Sequence, residues 1–123
     1  MEDERRIYRA SMREADMLKL LRDYVQAEGG IFWHIRDARG QEVEHAPDVI
    51  CILPPRRGVA PGIVAFFELK TQKDRVTVQQ RNVLRLADMA TEVVAGIVRP
   101  NPRTQFLEIT IDDALELLGK NPW

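Results

Sequence analysis

The sequence predicts an α/β fold, a single domain with a mixed central β-sheet flanked by helices. Three observations predict it. Apolar residues recur at helical spacing within Ser11 to Glu28 and again from Val78 to Met89, whereas Val49 to Leu53 and Ile63 to Phe67 are short unbroken apolar runs. Along the chain these segments follow the order αβββαβ(β)α, which suits one sheet with helices packed on it. At 123 residues the chain is sized for one domain, spanning 1–123, with a core large enough to need no staples.

Each element has its own justification. In the first helix Met17, Leu18, Leu21, Tyr24 and Val25 form the apolar stripe, and Gly29-Gly30 supplies the stop after Glu28. Ile31 to Arg36, rich in β-branched and aromatic residues, reads as the first strand. A polar connection, Asp37 to Ala46, leads to the second strand, Asp48 to Leu53. Pro54 to Gly62 is an irregular turn, longer than a tight hairpin. The third strand, Ile63 to Lys70, is apolar on both faces and is therefore expected at the centre, covered by helices. After the polar loop Thr71 to Arg75, Thr77 with Gln80 makes a capping box that opens the second helix, Val78 to Met89. Glu92 to Arg99 is the fourth strand, halted by Pro100 and Pro102, and Phe106 to Ile109 is a short fifth. Thr110 caps a last helix, Ile111 to Leu118, which Gly119 stops.

Composition narrows the function classes. No apolar run approaches the about 20 residues of a membrane span, and the charged start Met-Glu-Asp-Glu-Arg-Arg has no signal-peptide core. The one cysteine, Cys51, lies inside an apolar strand and reads as packing in a reducing cytoplasm. The two histidines and the cysteine lack zinc-site spacing. Seven basic residues between Pro54 and Arg85 face only Glu68 and Asp74, so this segment carries +5 and the rest −6 of a chain whose net charge is −1. Such a segment attracts a polyanion, although a solvated surface would have the same charges.

The chemistry concentrates at two strand ends. Asp48 opens one apolar run, and Glu68 and Lys70 close another. Residues two apart on a strand share a face, so Glu68 and Lys70 point the same way, and Asp48 joins them if the strands pair. Two carboxylates and an ammonium then meet at the end of a hydrophobic sheet, an inventory that holds a divalent metal and activates water against a phosphodiester. Charged strand ends are also ordinary, because strands emerge into solvent there. Glu14 lies on the inward stripe of the first helix, where a carboxylate needs a partner or a metal, but it also suits the first turn as a complement to the helix dipole. Gln80 shares the stripe of the second helix and serves its cap as well.

The ordered set of helix-Glu14, strand, Pro47-Asp48, Glu68-Leu69-Lys70 and the Thr77-x-x-Gln80 helix start resembles the PD-(D/E)xK nuclease superfamily. Within it, the chain is most similar to the small VRR-NUC-type domains that occur alone in phage and bacterial genomes. Trp33-His34-Ile35-Arg36, Phe67 to Thr71 and Val98-Arg99-Pro100 extend the likeness, which runs from about Glu14 to Arg99. It implies a restriction-endonuclease-like αβββαβ core and a metal-dependent DNA endonuclease, with a Holliday-junction resolvase or a catalytically silent nucleic-acid-binding module as alternatives. Asp48, Glu68 and the Leu69 carbonyl would ligate Mg²⁺ or Mn²⁺, with Glu14 completing the acidic cluster. Lys70 would orient the attacking water or stabilise charge on the phosphate, and Gln80 would help fix Lys70 or the phosphate. His34, Arg36, Lys73 and Arg75 would contact the DNA backbone. Size and resemblance together imply a symmetric homodimer, working in the cytoplasm of a bacterial or phage-infected cell.

Overall fold

The third strand does lie at the centre of the sheet, and the layers on its two faces explain its apolar composition. The structure is a computed structural model that describes residues 12–36, 39, 46–55, 62–90, 93–102 and 107–120. The charged lead-in, most of the polar connection, Arg56 and Arg57 in the irregular turn, Glu92 and Phe106 lie outside the described residues. Within them the chain forms α1 (Glu14–Ala27), β1 (Ile31–His34), β2 (Val49–Leu53), β3 (Ile63–Leu69), α2 (Val78–Met89), β4 (Val93–Val98), β5 (Glu108–Ile109) and α3 (Ile111–Leu117).

The sheet has five strands in the order β1-β2-β3-β4-β5. β1 to β3 are antiparallel, whereas β3, β4 and β5 run parallel. The parallel step from β3 to β4 is made through α2, as parallel strands require a crossover. Strand alternation sorts side chains between two cores. Val49, Cys51, Leu53, Ala65, Phe67, Leu69 and Val98 face α1 and α3, where they meet Met17, Leu21, Val25, Ala114 and Leu115. Phe66, Ala95 and Ile97 face the other way and pack with Leu84 of α2. Phe67 is fully buried, and truncating such a side chain to alanine costs ~3–5 kcal/mol.

Local signals act where they were read. Thr110 accepts a hydrogen bond from the Asp113 N–H at 3.0 Å, which starts α3. Gly29 takes φ +77°, the left-handed turn that ends α1. At Gly30 any Cβ would collide with the Ile52 carbonyl, so this position admits only glycine between α1 and β2.

The elements are shorter than expected at several ends. β1 stops at His34 instead of running to Arg36, because its partner β2 begins at Val49, opposite His34. Beyond that pair the Ile35 N–H still donates to the Asp48 carbonyl at 2.7 Å. Asp48 and Lys70 each stand one residue outside a strand for the same reason, and α1 ends at Ala27. Cys51 is buried, and its burial pushes the thiol up to about 12, consistent with a packing role.

Candidate active site at one end of the sheet

The site is set by strand register. Val49 pairs with Phe67, and one step further along the same register Asp48 comes level with Glu68. Val49 and Phe67 enter the α1–α3 core, Glu68 turns the other way to meet Gln80 of α2, and Asp48, one residue outside β2, meets the Leu69 N–H and Arg36. Both are almost wholly enclosed, Asp48 at 3% exposure and Glu68 at 1%. Buried carboxylates need partners, and both have them. The Leu69 N–H donates to Asp48 Oδ2 at 2.9 Å. Gln80 Nε2 donates to Glu68 Oε1 at 3.2 Å, and Lys70 Nζ is 3.6 Å from the same oxygen.

Gln80 makes the cap read from the sequence, and its side chain also bonds Glu68. Its side-chain oxygen accepts from the Thr77 N–H at 3.0 Å while its backbone N–H donates to Thr77 Oγ1 at 3.1 Å, a reciprocal cap. The amide nitrogen of its side chain holds Glu68. The start of α2 is thereby tied to the end of β3.

Glu14 reaches the site from the first turn of α1. Arg36 bridges it to Asp48: Nη2 donates to Glu14 Oε1 at 3.2 Å, and Nη1 to Asp48 Oδ1 at 3.4 Å. Burial, and next the nearby Asp48 charge, hold the Glu14 carboxyl above its ordinary range, against the opposing pull of Arg36 and Lys70. Arg36 is thus a partner of the acids here. Instead of one cluster of three carboxylates, Glu14 and Asp48 share a cation. Among the described residues no three Asp, Glu, His or Cys groups sit close enough to hold a metal ion together.

These groups open on a cavity of ≈ 390 Å³. Glu14 and Arg36 line one side and Asp48, Leu69 and Lys70 the sheet end, while Asp74 and Arg75 come from the following loop. Glu68 does not line it directly and is linked to it by Lys70. Lys73 and His34 are exposed and lie outside the lining. Partial burial, and after it the Arg36 charge, push the His34 imidazole below its ordinary value.

Sequence reasoning missed three residues. Asp74 lines the cavity, and hydrogen bonds from Thr71 hold its carboxyl below the usual range. Arg99 and Glu108 form a buried ion pair at 2.6 Å. An arginine closing a wholly apolar strand was the available signal for that pair.

No protein-family model matches the chain, and no curated protein matches it. A solved structure described as a VRR_NUC domain is similar over 85% of this chain and 92% of that chain, with a TM-score of 0.50 and 20% identity. The resemblance read from the sequence is therefore borne out at the level of architecture: the chain is a small α/β domain with the VRR_NUC fold.

Proposed function

We propose that the protein is a divalent-metal-dependent DNA endonuclease. The observation that carries this reading is the register that brings Asp48 level with Glu68, with Asp48 and Lys70 lining a polar cavity and Glu68 buried behind Lys70. The donor set fits a hard divalent ion. Asp48, Glu68 and the Leu69 carbonyl offer oxygen ligands, and the repulsion that hinders Glu14 ionisation would be relieved by a cation. Mg²⁺ or Mn²⁺ bound there would supply Lewis-acid stabilisation and a more acidic water.

The chain's own residues divide the remaining work. Lys70 orients the attacking water or meets the charge that develops on the phosphate. Gln80 fixes Glu68 and so restrains the acid that pairs with Lys70. Arg75, Lys73 and His34 offer backbone contacts to DNA, and Arg36 joins them once it leaves the acids. Cutting both strands with so small a domain calls for two sites, so the reading includes a symmetric homodimer. A strictly monomeric mass with and without DNA would exclude that assembly. No helix among the described residues is long and apolar enough to cross a membrane.

The test is incubation with linear, nicked, flapped and four-way DNA in Mg²⁺, Mn²⁺ or EDTA. The expected result is metal-dependent cleavage, with a metal-induced rise in Tm that Asp48→Ala abolishes. Preference for four-way DNA would make the enzyme a junction resolvase. Equal Tm shifts in wild type and Asp48→Ala would overturn the metal site, and absence of cleavage under every condition would leave a binding module.

A further inference from the structure

The connection between β3 and α2 carries Lys70, Asp74 and Arg75 to the cavity wall. Polar connections of this kind are usually held by water and open easily. This one is held by protein. Arg99, only 1% exposed, directs Nη1 to two of its carbonyl oxygens, Thr71 at 2.8 Å and Asp74 at 2.7 Å. The guanidinium is itself fixed by Glu108, whose Oε1 accepts from Arg99 Nε at 2.6 Å. Gln72 and Asn101 add a reciprocal pair, at 3.1 and 2.9 Å, between the same two segments. Within the connection, the Thr71 N–H donates to Asp74 Oδ2 at 3.1 Å.

The energetics of such a pair indicate its purpose. A buried ion pair contributes little net stability relative to apolar residues of the same volume, because both charges must be desolvated. Apolar residues at 99 and 108 would fill the core equally well. They would not bond the Thr71 and Asp74 carbonyls. Arginine suits this work through its planar, rigid fork, which bonds the carboxylate on one edge and the loop on another, whereas lysine presents all its donors at one point.

We infer that Arg99, held by Glu108, is a positioning residue that sets the 71–75 connection so that Arg75 faces bound DNA. The role of Arg75 rests on the nuclease reading; the geometry of the clamp does not. Arg99 is absent from the cavity lining and acts through the two carbonyls.

The experiment is a double-mutant cycle on the full chain with Arg99→Lys, Arg75→Ala and the double variant. The readouts are short-duplex affinity against salt, amide exchange at Thr71 and single-turnover cleavage. Arg99→Lys should remain folded, and its Thr71 amide should exchange faster while those of Val25 and Phe67 keep their protection. Its salt slope should drop by about one unit, as in Arg75→Ala, because one phosphate contact is lost. The double variant should bind no worse than either single variant, since both remove the same contact. Additive losses, or an unchanged salt slope in Arg99→Lys, would overturn the inference. Should Arg99→Lys fail to fold, Glu108→Gln loosens the same guanidinium and is read by the same measurements. Failure of both to fold would make the pair purely structural and end the proposal. A wild type that binds but never cuts DNA removes the nuclease reading, and the binding cycle still decides the clamp. A wild type that neither cuts nor binds overturns both.

Discussion

Two arginines hold acidic partners in this molecule, and they do so differently. Arg36 spans Glu14 and Asp48 at 3.2 and 3.4 Å, in a half-buried setting that opens on the cavity. Arg99 meets Glu108 at 2.6 Å with both side chains enclosed, and its remaining bonds go to main-chain carbonyls. The first arrangement is long, partly exposed and shared between two carboxylates, so under the proposed function a metal ion or a phosphate would exchange with it. The second is short and ties a strand to a neighbouring strand and to the loop. The difference teaches that charge alone does not mark a functional site. The exchangeable pairing sits where chemistry is proposed, and the rigid one supports it from behind the loop.

The largest expected effect tests the rigid side. Arg99→Ala leaves Glu108 buried without its cation and should destabilise the fold by ~3–5 kcal/mol, measured by urea denaturation. A loss below ~1 kcal/mol would erase the distinction between the two arginines.

Next in size is Lys70→Ala. It should keep the fold and bind metal as well as or better than wild type, while cleavage falls ~10²-fold or more. Cleavage near the wild-type rate would show that the active-site assignment is wrong.

Arg36→Gln probes the exchangeable side. Its stability cost should be smaller than that of Arg99→Ala, because Glu14 is partly exposed and Asp48 keeps the Leu69 N–H. The metal-induced rise in Tm should grow, because Glu14 and Asp48 then repel each other without a cation between them. A smaller metal response would mean that Arg36 helps the ion bind instead of competing with it.

The smallest effect is the pH dependence of Glu14. Its carboxyl is harder to ionise in the fold than in the unfolded chain, where the ordinary value is 4.5. The folded state keeps that proton to higher pH, so stability falls as pH rises from the ordinary value through the raised one. Glu14→Gln should therefore melt higher than wild type at pH 7, with the gap closing toward pH 4. A gap that widens on acidification would show that the Arg36 pairing outweighs burial and repulsion.

The sequence by itself determined whatever depends on near neighbours. The Thr77–Gln80 and Thr110–Asp113 caps close over three residues, and Gly29 ends α1 through its own backbone freedom. Strand alternation alone put Glu68 and Lys70 on one face, and the apolar character of both faces placed β3 at the centre. Tertiary structure decided the rest, because contacts across the chain depend on register and layer packing that no local period encodes. Register brought Asp48 level with Glu68, where the sequence could only pose it as a condition. The end of β1 brought Arg36 between Glu14 and Asp48, so that a residue read as a DNA contact became the partner of two acids. The parallel pairing of β5 with β4 brought Glu108 to Arg99 and gave the loop its clamp. Each of these depends on where a strand stops, and a strand stops where its partner does, which is a property of the assembled sheet.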